Sequence, residues 1–293
     1  NLRNSMNKFV YNAPTEWTPK EHFPDLSKEK LIAIDLETCD TQLTTHGSGW
    51  ATGNGYVTGI AVATADWEGY YPIAHNGGNL DKTKVIRWFK TVAKLDCDKV
   101  FHNASYDLGW LKSLGITVNG KIHDTMISSA LLDENRYSYT LNSLAKDKLG
   151  RTKNEDLLIA AAKEFGVDPK KEMYKLPSMH VGEYAEYDAR LTYDLYLLNK
   201  EQIDKQELQD IYDLETRLQP CLIDMRMQGV RVDLEQADIA KKELSAKEKQ
   251  LMAEIKKICG LDVEIWAAAS IAKAFDKLKI KYPLSPINKA PSF

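Results

Sequence analysis

One short apolar run, Lys30-Leu-Ile-Ala-Ile-Asp-Leu36, constrains this chain more than any other stretch, because it leads into Asp35-Leu-Glu37. A run this short and apolar predicts a buried strand. Side chains alternate along a strand, so Asp35 and Glu37 share one face. They lie at the strand's carboxyl end, where active sites gather in α/β sheets.

Two more acidic signatures follow in order, Asn103-Ala-Ser-Tyr-Asp107 and Tyr184-Ala-Glu-Tyr-Asp188. Asp107 falls in the first turn of a helix predicted to start just after a strand at 99–102, with Asn103 as its cap. Tyr184 and Asp188 are four apart on a predicted helix and share a face with Leu191 and Leu195, so Asp188 should border the core. Four carboxylates drawn together repel one another and do not ionise side by side unless cations intervene. Two divalent cations ~4 Å apart can activate a water and stabilise a departing oxygen, which is the chemistry of phosphodiester cleavage. Oxygen ligands suit Mg²⁺ or Mn²⁺ and not zinc. Each motif alone also has a plainer explanation: a solvated strand end, a capped helix, a surface pair. Asp124, in His-Asp-Thr, is read as a helix cap and not as a ligand.

Further strands are predicted over 56–63 and 69–73, and a helix over 81–93 with Val85, Ile86, Phe89 and Val92 on one face. Residues 40–55 read as a loop rich in Gly and Thr, and 104–114 as a helix. Beyond them 123–132, 140–149, 155–165 and 181–205 all carry helical spacing. Strands, then alternation, then helices imply an α/β fold, a mixed sheet flanked by helices. Residues 1–29, with Pro14, Pro19 and Pro24, read as an extended lead-in strapped across a surface, their first five as a remnant or an upstream extension. The main domain is placed at 30–206 and a helical unit at 207–293. That unit holds a helix over 208–228 closed by Gly229, a long helix capped by Asp233 and ended by Gly260, and a shorter one over 267–278. Its lysines, Lys241, Lys242, Lys247, Lys249, Lys256 and Lys257, read equally as duplex-phosphate contacts or as a solvated face.

At 293 residues, 43% hydrophobic and 28% charged, the chain can bury a real core. A net charge of −3 argues against a protein that coats nucleic acid electrostatically. No apolar run reaches the roughly eighteen residues of a membrane span, no secretory leader is visible, and the four cysteines are widely spaced. The expectation is a cytoplasmic monomer without a membrane partner.

The three motifs resemble Exo I, Exo II and Exo III of the DEDD exonuclease superfamily, in its tyrosine-bearing branch, over about Lys30 to Lys205. The resemblance implies a ribonuclease-H-like fold and two divalent cations. It implies that Asp35, Glu37 and Asp188 hold one metal, that Asp35 and Asp107 hold the second, and that Tyr184 orients the attacking water. Asn103 would seat the substrate end, with Thr38 and Tyr106 also meeting substrate, Tyr106 by stacking. The segment from Leu214 to Asp233 resembles the join between exonuclease and thumb in family A DNA polymerases, and Gly49 to Gly53 has a bacteriophage flavour. Together they imply a 3′→5′ proofreading exonuclease for single-stranded or frayed DNA ends, partnered by polymerase palm and fingers that this chain lacks. An RNA-trimming enzyme resembling ribonuclease D shares the same carboxylates and remains an alternative, as does a non-catalytic domain.

Overall fold

The computed structural model describes residues 15–293. Pro14 and the residues before it, including the first five, lie outside the described residues. The chain divides into two compact units at Gly229 and Val230.

In the first unit β1 (Leu31–Cys39) is followed by two single-turn helices, α1 (Leu43–His46) and α2 (Gly49–Thr52), inside the expected loop. Then come β2 (Tyr56–Ala63), β3 (Glu68–Pro72), α3 (Lys82–Ala93), β4 (Asp98–Phe101) and α4 (Ala104–Ser113). After β5 (Ile122–Asp124) the chain is helical: α5 (Thr125–Leu132), α6 (Leu141–Leu144) running into a π turn, α7 (Asp156–Phe165), α8 (Gly182–Lys205) and α9 (Gln209–Gln228). The five strands form one sheet in the order β3-β2-β1-β4-β5. The β3-β2-β1 half is antiparallel, while β1, β4 and β5 run parallel. This is the mixed sheet flanked by helices that the element pattern implied. Strand β5 was not anticipated: Ile122, His123 and Asp124 are too few to show alternation, and they merge into the apolar start of α5.

Alternation along β1 sorts the core into two layers. Ile32, Ile34 and Leu36 face a cluster that includes Val85, Phe89, Trp110 and Leu111. Leu31 and Ala33 face the other side, with Ala61, Ala63, Ala185 and Ala189. Alanines on both strand and helix let α8 lie close against the sheet. Asp35 and Glu37 continue that alanine-lined face, and so meet α8. Leu191 and Leu195, the next turns of α8, are fully buried, as expected.

Residues 15–26 contain no helix or strand and run along the β3 edge. Phe23 stacks on Tyr71 at 5.4 Å, and the Tyr71 hydroxyl donates to the His22 carbonyl at 2.9 Å. Although the main domain was placed at 30–206, α9 belongs to the first compact unit. Its Ile223 is buried in the core, and its Tyr212 hydroxyl accepts the Asp124 N–H at 3.0 Å. The helix ends at Gly229, whose φ of 70° suits a residue without a side chain.

The second unit holds α10 (Leu234–Cys259) and α11 (Ala268–Lys277). Asp233 caps α10, accepting from the N–H of Glu235 and Gln236 at 3.1 and 3.0 Å. Its small core joins Cys259, Val263 and Ala274. Leu244, Leu251 and Ile258 of α10 are exposed. Among the α10 lysines, Lys242 pairs with Asp238 and Lys256 with Asp262.

No helix among the described residues is long and apolar enough to cross a membrane.

Candidate active site

Oxygen atoms of Asp35, Glu37 and Asp188 all lie within 4.8 Å of one another. Strand β1 supplies two of them through its period of two, and α8 supplies the third through its close seat on the sheet. Glu37 faces Gly59 of β2 across the ladder. A side chain at Gly59 would collide with Tyr70, whose hydroxyl lies 2.1 Å from where a Cβ would stand. The glycine thus lets the Tyr70 ring close the floor beside Glu37. The ladder is regular as far as Glu37 and shifts register between Glu37 and Thr38.

Asp107 stands beside Asp35 and not in the three-oxygen cluster. Pairing of β1 with β4 covers only Leu31 to Ala33, so the β1 backbone beyond is free of that neighbour. The Leu36 N–H uses this freedom to donate to Asp107 Oδ1 at 3.0 Å. Asp107 is only 4% exposed and Asp188 only 6%.

Burial raises the pKa of all four acids. For Asp35 it acts first and the Asp188 charge next, taking its pKa to about 7 against the pull of Lys153. For Glu37 burial is again foremost, followed by the charges of Asp35 and Asp188, and its pKa stands well above the ordinary value. For Asp107 burial leads and Asp35 adds to it, against the Leu36 N–H. Asp188 is raised by burial and eased by Lys153. The carboxyls of Asp35 and Glu37 accept no hydrogen bond from the described residues. An acid cluster built only of hard oxygens, with Asp35 and Glu37 lacking donors among the described residues, fits a divalent cation of the Mg²⁺ or Mn²⁺ kind.

Sequence reasoning missed Lys153. Its ammonium pairs with Asp188, reaches the Tyr184 hydroxyl at 3.4 Å and lies 4.6 Å above the Tyr184 ring. No local pattern distinguishes it from Lys146 or Lys148; the only signal was the need of four acids for a counter-charge. Burial, then the nearby carboxylates, raise the Tyr184 hydroxyl far above the ordinary tyrosine value, so it stays a protonated donor at neutral pH.

Thr38, Asn103 and Tyr106 line one cleft together with Asp40, Lys170 and Lys171. Tyr106 is not an exposed stacking platform. It is half-buried, its ring meets Trp110 edge-on, and its hydroxyl donates to Asp40 at 3.0 Å while sitting 2.9 Å from Thr38 Oγ1. Asn103 occupies the cap position of α4 with φ 68°, but its side chain makes no capping bond. Asp124 does that work. Its carboxylate accepts from the N–H of Asn103 and Ala104 at 3.1 and 2.7 Å, and from those of Met126 and Ile127 at 2.8 and 3.3 Å.

The sequence profile described as 3′-5′ exonuclease matches residues 12–202. That match covers well over half of the chain. The chain belongs to the 3′-5′ exonuclease domains of family A DNA polymerases. A DNA-directed DNA polymerase of Pseudomonas phage M6 is 36% identical to this exonuclease chain over 273 residues. The alignment takes in 88% of the chain but 41% of the polymerase, so the chain spans about two-fifths of that relative. Among solved structures, the POL domain of Pol1 from M. smegmatis, in complex with DNA primer-template and dNTP, matches with a TM-score of 0.61 at 14% identity. That match covers 91% of this chain and 41% of the other. Brucella melitensis NrnC with bound Mg²⁺ gives a TM-score of 0.51 at 17% identity, covering 70% of this chain and 90% of its own. These two likenesses support the ribonuclease-H-like fold.

Proposed function

We propose that the cluster of Asp35, Glu37 and Asp188, with Asp107 beside it, is the metal-dependent centre of a 3′→5′ exodeoxyribonuclease. It trims single-stranded or frayed DNA ends as the editing part of a family A polymerase. The observation that carries this is the convergence of three carboxylates within 4.8 Å, Asp188 buried and Asp35 and Glu37 partly so, with no hydrogen-bond donor on Asp35 or Glu37 among the described residues. Asp35, Glu37 and Asp188 would hold one cation, and Asp35 with Asp107 a second. Divalent cations there would supply a water of lowered pKa and stabilise charge on the departing 3′ oxygen.

The chain's own groups do the rest. Tyr184, kept protonated, directs its hydroxyl at the water's position and orients it. Asn103 and Thr38 border the cleft in which the strand end lies, and Lys170 and Lys171 add positive charge at its edge. Tyr106 shapes the cleft wall by fixing Thr38 and Asp40. The unit at Val230–Phe293 would begin the thumb, and palm and fingers of the same polypeptide would be its partner. The protein acts as a monomer in the cytoplasm of a phage's host.

The test is release of mononucleotides from a 3′-labelled single strand with Mg²⁺. Asp35→Ala and Asp107→Ala should abolish it with the circular dichroism spectrum unchanged. Undiminished release by both variants would remove the assignment.

A further inference from the structure

Lys153 is an odd residue to find where it is. Its side chain is only 6% exposed, and an ammonium taken out of water needs a partner. It pairs with Asp188, one of the three clustered carboxylates, lies against the face and hydroxyl of Tyr184, and its charge also pulls on Asp35 and Glu37. The Asp188 oxygen it contacts cannot serve an ammonium and a divalent cation equally, because the two positive charges repel at that distance.

The backbone around Lys153 is not locked into a helix or strand. Residues 151–155 carry no regular structure between the π turn and α7. They are pinned on either side, by Arg151 pairing with Asp194 and by Asn142 donating to Glu155 at 3.0 Å. The span between the pins is short, and its lysine lines an open cleft shared with Asn154, Glu183, Tyr184 and Tyr187. On leaving Asp188, the ammonium has water and the Glu183 carboxylate within that cleft.

We propose that Lys153 is a built-in counter-ion, which holds the cation's place against Asp188 in the metal-free protein and is displaced into the cleft when a divalent cation binds. This inference rests on the metal-site reading above and deepens it: loading the site is an exchange of one positive charge for another. Two consequences follow. The lysine stabilises the acid cluster before metal arrives, and it lowers the affinity for metal by competing with it.

The experiment uses the whole chain with Mn²⁺ as probe. Binding is followed by electron paramagnetic resonance of free Mn²⁺, and melting is recorded in EDTA and in Mn²⁺. Lys153→Met, which keeps the length and removes the charge, should bind Mn²⁺ roughly tenfold more tightly than wild type. It should also melt lower in EDTA and recover in Mn²⁺; Lys153→Gln should behave alike. In the wild-type protein, amine-reactive labelling read by mass spectrometry should modify Lys153 faster in Mn²⁺ than in EDTA. Equal Mn²⁺ affinity in wild type and variants, or equal labelling rates, would overturn the exchange while leaving the metal site standing. Failure of wild type and both variants to bind Mn²⁺ at all would overturn the exchange and the nuclease site together.

Discussion

Two acids of the sheet, Asp124 buried at the end of β5 and Asp35 partly buried within β1, have opposite surroundings. Asp124 accepts four backbone N–H groups and caps α5 while seating the start of α4. Asp35 accepts none from the described residues, and shares its space with Glu37 and Asp188. A carboxylate ringed by donors is satisfied and structural; one surrounded by other carboxylates has its charge unbalanced and needs a cation. Hydrogen-bond partners, rather than burial, separate the two roles, since burial raises both pKa values and only Asp124 has N–H groups to oppose it.

The contrast predicts effects of opposite sign. Glu37→Gln removes one of the unbalanced charges. It should cut Mg²⁺-dependent hydrolysis by more than the roughly 10²–10³-fold that loss of one electrostatic donor costs. In EDTA it should melt no lower than wild type, and a variant that melts much lower would break the comparison. Asp124→Ala does the reverse, stripping four N–H groups of their acceptor. Urea unfolding should show a loss of about 3 kcal/mol. A loss below about 1 kcal/mol would mean that water replaces the carboxylate without penalty.

A finer division comes from pH. The Asp35 pKa is raised to about 7 in the fold from an ordinary value near 3.8. Its protonated form therefore adds stability that is complete below pH 4 and lost as pH climbs through 7. Asp35→Asn stays neutral throughout, so in EDTA its advantage over wild type should grow between pH 5 and pH 8, by about 2 kcal/mol. A constant difference across that range would contradict the crowding of charge at Asp35. The smallest effect belongs to Tyr184→Phe, with a roughly tenfold slower turnover, the low end for outer partners of metal ligands. Its melting temperature should hardly move.

Most of the sheet was legible because its strands are apolar runs with clear limits, and the long helices because their spacing repeats over several turns. The three acid motifs were legible for the same reason: each is tied to the end or face of an element whose period is known. What escaped detection depended on contacts between distant segments. Strand β5 is three residues long and exists because β4 pairs with it. The two single-turn helices at 43–52 owe their shape to Asp40, which accepts from the Gly49 N–H at 2.9 Å. Lys153 comes from a stretch with no periodicity, and only the folded chain brings it to Asp188. Tyr106 looked like a free aromatic in sequence; its hydroxyl partners, Thr38 and Asp40, are 66 to 68 residues away.

Helix α9 was expected to open the second domain, yet its Tyr212 hydroxyl accepts from Asp124 and lies 3.3 Å from His123 Nδ1, and its Ile223 fills the core. A shortened polypeptide stopping at Gln206 would therefore leave a torn edge: an uncovered imidazole, a stranded amide and an apolar hole beneath the helices. The compact unit that α9 completes ends at Gly229. A polypeptide trimmed at Gly229 keeps these contacts, whereas one trimmed at Gln206 loses them.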